Sequence, residues 1–328
     1  MKIGSKVVIL ISIVIFSCAS PQIFNPKINS KNGGSANENE ISIITYNIQS
    51  VFGKGNEKVI ALADYLDSEK FDFVLMQEVF DEHVRNYFVE NLDSSFYKAK
   101  VPRVDYSTFP SNICQDAGLF SISKFPLIDL SHIDFGENTD VTNGAIHQML
   151  IKEFSISFDF MANKSILGTL HQINDSTKLF MFTTHLQAIS SRRHRTTQLK
   201  QIQAFIENAV YTVLRNNLVE SPQNLILLLT GDLNYNAYSE DDVEMLSKYL
   251  GNPRDLYKEF NKDLEEYTLI IKLFGLFRRV DYIFAFDNIG PMEFQKIDIK
   301  SINVTEVVDE NDESVSDHLA LKATLVID

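Results

Sequence analysis

The sequence predicts an α/β protein: a four-layer α/β/β/α sandwich of two mixed sheets with flanking helices. Three observations predict it. Strand-like and helix-like stretches follow one another in mixed order, without the strict alternation of a parallel sheet. Leu225 to Leu229 is apolar throughout, as in a strand buried on both faces. No glycine-rich phosphate loop follows the first strand, which disfavours a doubly wound nucleotide-binding fold.

The elements follow in order. Residues 41–46 form a β-rich strand ending at Asn47, and Val59, Leu62, Ala63 and Leu66 have helical spacing over about 56–69. Phe71 to Met76 is a second strand, ending at Gln77-Glu78, and Asp81 caps a helix to about Asn91. Gly118 to Ser123 is a strand, alternation over about 144–170 predicts two antiparallel strands, and Leu179 to Thr184 ends at His185. A helix covers about 190–214. The strand from Leu225 then presents Asp232 and Asn234, and Ser239 caps another helix. Asp281 opens a strand, and Asp317-His318 precede the last one, Leu319 to Ile327.

With 45% hydrophobic and 23% charged residues, the chain has ordinary globular composition. Residues 1–17 read as an export signal: Lys2 and Lys6, an apolar run from Val7 to Phe16, then small residues. Residues 18–40 read as a flexible tether and 41–328 as the folded domain. Ile15-Phe16-Ser17-Cys18 resembles a relaxed bacterial lipobox, so two destinations stand: a lipoprotein anchored at Cys18 on the outer cell surface, or a freely secreted protein. With Cys18 lipidated, Cys114 has no partner for an intrachain disulfide. The net charge of −14 argues mildly against nucleic acid as substrate. Arg192-Arg193-His194-Arg195 is the one basic cluster, read as the solvated face of a helix.

Asn47, Glu78, His185, Asp232, Asn234, Asp281, Asp317 and His318 thus stand at strand ends, where sites are usually built. Oxygen ligands and a nearby donor suit a hard cation or a phosphoryl oxygen. Their ordered motifs are Thr45-Tyr46-Asn47, Gln77-Glu78, Thr184-His185-Leu186, Gly231-Asp232-Leu233-Asn234, Val280-Asp281-Tyr282 and Ser316-Asp317-His318. The set resembles the endonuclease/exonuclease/phosphatase superfamily of metal-dependent phosphodiesterases. The flanking stretches, Gln77 to Asp81 above all, look most like neutral sphingomyelinases.

The resemblance implies that Glu78, supported by Asn47, holds Mg²⁺ or another divalent cation, with Asp317 near the metal. His318 is implied as general base, oriented by Asp281. Asp232 and Asn234 are implied to position the water and a phosphate oxygen, and His185 to donate a hydrogen bond or assist the leaving group. The sphingomyelinases usually carry a Lys before a Gly of a strand matching Gly144-Ala145-Ile146; Asn143 stands there, so a phosphate-facing cation is expected to be missing. The implied reaction is hydrolysis of sphingomyelin to ceramide and phosphocholine. The rivals are a secreted DNase-like nuclease, an inositol phosphate phosphatase, and a surface binding or membrane-damaging module with impaired catalysis. A lipid substrate requires membrane contact. The chain has no Trp, and Leu273, Phe274, Leu276 and Phe277 around Gly275 are the candidate tip; an ordinary buried hairpin is the alternative.

Overall fold

A computed structural model describes residues 39–50, 56–105, 116–153, 162–271 and 275–327. The expected export signal, nearly all of the tether, and Leu273 and Phe274 lie outside the described residues. One sheet contains β1 (Glu40–Ser50), β2 (Phe73–Val79), β3 (Ala99–Val101), β4 (Phe120–Ser123), β16 (Ile297–Thr305) and β17 (Ala320–Ile327). Their order across the sheet is β16-β17-β1-β2-β4-β3. The other contains β5 (Asp140–Thr142), β6 (Ala145–Met149), β7 (Ser165–Gln172), β8 (Lys178–His185), β9 (Leu225–Asp232), β10 (Arg254–Asp255) and β13 (Asp281–Ala285), in the order β10-β13-β9-β8-β7-β6-β5. The β1–β2 and β8–β9 pairs are parallel and the remaining pairs antiparallel, so both sheets are mixed.

Period-two alternation sorts the apolar residues between two faces. Ile41, Ile43, Phe73 and Leu75 of the first sheet meet Leu179, Met181, Ile226, Leu228 and Ile283 of the second, forming the middle of the sandwich. The other face of the first sheet (Ile44, Tyr46, Val74, Met76) is covered by Leu62 and Leu66 of α1 (Asn56–Glu69) and Val84 and Phe88 of α2 (Glu82–Asn91). Phe180, Phe182, Leu227 and Leu229 face outward from the second sheet. They pack on Leu199, Ile202 and Phe205 of α3 (Arg192–Arg215) and Leu246 of α4 (Glu240–Leu250). Each fully buried Leu, Ile or Phe contributes roughly 1.5–3 kcal/mol. Asp81, Ser191 and Ser239 accept first-turn N–H groups, and these caps define where the helices begin.

The expected strands and helices are present. β16 was not expected from the sequence: a register shift between Ile299 and Ser301 breaks its alternation, and it is an edge strand. No helix among the described residues is long and apolar enough to cross a membrane. The strand directions bring the carboxyl ends of β1, β2, β8 and β9 to one rim, where β13 and β17 begin.

Candidate active site

At that rim the inward-facing rows stop being apolar. After Ile41 and Ile43, the inner row of β1 continues through Thr45 to Asn47; that of β8 ends at His185, that of β9 at Asp232, and that of β13 starts at Asp281. His185, Asp232 and Asp281 are side by side in register. Beneath them Gln77 Nε2 donates to Thr45 Oγ1 (3.1 Å) and to Thr183 Oγ1 (3.2 Å), stitching the two sheets together.

Two backbone features complete the rim. Strict alternation would turn Glu78 toward the helices. It has φ 57° instead, opposite a register shift in β1 between Asn47 and Ser50, and its carboxylate reaches Asn47. Gly231 has φ 126°, and a Cβ there would stand 2.0 Å from Thr184 O, so β9 can lie this close to β8 only with glycine before Asp232.

Asp232 is the hub. Asn47 Nδ2 donates to Asp232 Oδ2 and to Glu78 Oε1, both at 3.1 Å. His185 Nε2 lies 3.7 Å from Glu78 Oε1 and 3.7 Å from Asp232 Oδ2. From the other side His318 Nε2 is 3.7 Å from Asp232 Oδ2, while its Nδ1 is 2.9 Å from Asp281 Oδ2. The Asn234 N–H donates to Asp232 Oδ1 (2.9 Å), and Gln49 Nε2 donates to Asp317 Oδ2 (2.7 Å). Thr268 Oγ1 accepts the N–H groups of Val280 (3.1 Å) and Asp281 (3.2 Å), fixing the start of β13.

Burial pushes the Asp232 carboxyl up, and the Asp281 charge adds to it; His318 and the Asn47 and Asn234 N–H donors pull the other way. For His318 burial disfavours the proton, but the charge and hydrogen bond of Asp281, then Asp232 and Asp317, outweigh it and raise the imidazole to about 10. His185 is held well below 6.5 by burial, then by Lys164 and His318, so it is a neutral imidazole at pH 7.

The expected residues Asn47, Glu78, His185, Asp232, Asn234, Asp281, Asp317 and His318 therefore gather at one rim. Asn143 does not. In the β6–β7 register Met149 faces Ser165 and Ile146 faces Gly168, so β6 has its carboxyl end at the rim and Asn143 at the far end. Asn143 (φ 52°) and Gly144 (φ 80°) are the centre of a two-residue hairpin turn, the reason for Asn at that position. A cation the sequence reading overlooked sits at the rim. Lys164, 1% exposed, precedes β7 and places Nζ 3.5 Å from both ring nitrogens of His185. No local signal marks it: only the antiparallel pairing of β7 with β8 makes the residue before one neighbour the residue ending the other. The hairpin of β11 (Leu269–Ile271) and β12 (Leu276–Arg278) adjoins the loop of His318, with Ile270 N donating to Asp317 O. Leu276 is partly exposed and Phe277 is 48% exposed.

No family model matches the chain. An uncharacterized protein of Dictyostelium discoideum is 23% identical over 268 residues, or 74% of this chain and 21% of that protein; the chain spans about a fifth of its relative. Among solved structures, an endonuclease/exonuclease/phosphatase family protein from Bacteroides thetaiotaomicron matches 88% of this chain and 98% of its own, with TM-score 0.56 and 18% identity. The chain shares its fold with that endonuclease/exonuclease/phosphatase family protein. A similar fold is found in sphingomyelinase C from Streptomyces griseocarneus (TM-score 0.59, 16% identity, 87% of this chain and 99% of that one). It is also found in D. rerio TDP2 complexed with single-strand DNA product (TM-score 0.58, 16% identity, 87% and 98%).

Proposed function

We propose that the protein is an exported, divalent-cation-dependent phosphodiesterase that hydrolyses sphingomyelin to ceramide and phosphocholine. One observation carries the reading: the His318–Asp281 pair and the Asn47–Glu78 pair converge on Asp232 from its two sides, at the rim the two sheets share. The donor set fits a hard cation. The carboxylates of Glu78, Asp232, Asp281 and Asp317 gather at one rim, and the raised His318 reports the negative charge of Asp281, Asp232 and Asp317 around it. Glu78, supported by Asn47 and with Asp317 nearby, would hold Mg²⁺, which would neutralise charge building on the phosphoryl oxygens.

The chain's own groups account for the remaining chemistry. With a bound cation offsetting the carboxylates that keep it protonated, His318 would lose its proton and could then take one at Nε2 from the attacking water while Asp281 holds Nδ1. Asp232 and the Asn234 amide orient that water and a phosphate oxygen. His185, being neutral, contributes a hydrogen bond rather than a charge, and the positive charge on that side is Lys164. Water attacks phosphorus in line and the P–O bond to ceramide breaks on the opposite side, the leaving oxygen taking a proton from solvent to give ceramide, with no covalent intermediate.

Likeness of fold does not choose between lipid and DNA, since the two TM-scores differ by 0.01. The flanks Gln77 to Asp81, Thr184 to Ala188 and Arg279 to Tyr282, together with the net charge of −14, favour the lipid. The test is an assay in Mg²⁺ of sphingomyelin vesicles, single-stranded DNA and a soluble phosphodiester, with and without chelator. Sphingomyelin turnover abolished by chelator is expected; preference for DNA, or turnover indifferent to chelator, overturns the reading.

A further inference from the structure

The basic cluster at the start of α3 is not a uniform solvated face. Arg193 is exposed, and Arg192 forms a solvent-exposed pair with Asp241. Arg195 turns inward: Nη1 donates to the main-chain carbonyl of Asn234 (2.8 Å), and the guanidinium lies 4.9 Å from the centre of the Tyr235 ring.

That carbonyl belongs to an unusual piece of backbone. Asn234 has φ 54°, a left-handed conformation that Asn tolerates but does not prefer. Its turn is held from three sides. The Asn234 N–H bonds Asp232 Oδ1, Asn234 Nδ2 donates to Leu186 O (2.9 Å), and Tyr282 hydroxyl donates to the next carbonyl, Tyr235 O (2.7 Å). Arg195 supplies the bond to the remaining carbonyl. One turn along α3, the buried Gln198 accepts the N–H of Gln187, two residues beyond His185. The inner face of α3 thus grips both rim loops, the one after β8 and the one after β9.

We propose that Arg195 is a positioning residue for the reaction at this rim. It locks the left-handed turn at Asn234, so that the Asn234 amide and the Asp232 carboxylate keep one orientation toward the phosphate. The catalytic consequence rests on the phosphodiesterase reading above; the clamp on the loop does not.

The experiment compares the parent with Arg195→Met and Arg195→Lys by amide hydrogen exchange and by steady-state kinetics on the soluble phosphodiester. Arg195→Met should raise exchange at the Asn234 and Leu186 amides by about tenfold or more, the size expected for one lost charge-assisted hydrogen bond, with Leu228 in the strand unchanged. kcat should fall about 10- to 100-fold with KM within about twofold, because misplacing reacting groups affects the step rather than binding. Arg195→Lys, which keeps a charged donor, should recover part of both. Unchanged protection at Asn234 overturns the proposal, as does lost protection with unchanged kcat. Lost protection in a protein whose parent hydrolyses no phosphodiester leaves the clamp standing and overturns the phosphodiesterase reading instead.

Discussion

At the scale of single residues, the rim separates groups that could be read from type and spacing from one that could not. His318 and Asp281 are 37 positions apart and meet at 2.9 Å. Removing that imidazole removes the general base we propose, with an expected loss of roughly 10²–10⁴-fold in turnover. His318→Ala should show it in a protein that still folds, though with a lower melting temperature because Asp281 loses its buried partner, and a smaller loss of turnover would point to another base. Lys164 carries the second prediction. Lys164→Met keeps an apolar stem and deletes the charge beside His185, so kcat/KM should fall at least about tenfold, the order of one charge-assisted hydrogen bond. Asn143→Lys is the control. It adds a cation at the far end of the sheet and should leave turnover within about twofold, provided the hairpin turn tolerates φ 52° at that residue. A large gain from Asn143→Lys would refute the placement of the cation at Lys164.

At the scale of elements, the β11–β12 hairpin is the piece whose role depends on the substrate. It pairs with neither large sheet, yet its first strand bonds the loop of His318 through Ile270 N and Asp317 O. Phe277 is half exposed, with its ring 5.7 Å from that of Tyr267. We expect this hairpin to touch the bilayer. Phe277→Ser should weaken binding to sphingomyelin vesicles and hydrolysis there while sparing a soluble phosphodiester. Equal losses on both substrates would make the residue part of the site's support. The helices were legible because caps and spacing are local: Asp81, Ser191 and Ser239 all serve as N-caps. β16 was not, because an edge strand with a bulge need not keep strict alternation.

At the scale of the whole molecule, stability should depend on pH through a group remote from the rim. His171 is fully buried, with Nδ1 on Phe125 O (3.1 Å) and its ring 5.0 Å from Phe73. Burial lowers it from 6.5 to about 4, partly offset by the Phe125 and Pro126 backbone. The unfolded chain therefore binds a proton between about pH 6.5 and 4 that the folded chain refuses. The contribution of this group is complete above pH 6.5 and declines as pH falls toward 4, by about 3 kcal/mol for a gap of this size. Urea unfolding at pH 7 and 4.5 should show the decline, and His171→Phe should flatten it. An equal slope in the variant would assign the dependence to other groups.

What the sequence determined by itself was chemistry and periodicity. Its alternating apolar runs specified two buried sheets, and its motifs named the polar residues that end them, because side-chain type and a period of two are local properties. What only the tertiary structure decided was which ends share a rim. Asn143 and Lys164 each precede a strand of the second sheet, but consecutive antiparallel strands start at opposite ends, so one turns a distant hairpin and the other faces His185. Arg195 likewise reads as one of a basic run. Only the packing of α3 against the loop after β9 makes it the partner of Asn234, because a left-handed turn and the donor that holds it are 39 residues apart in the chain.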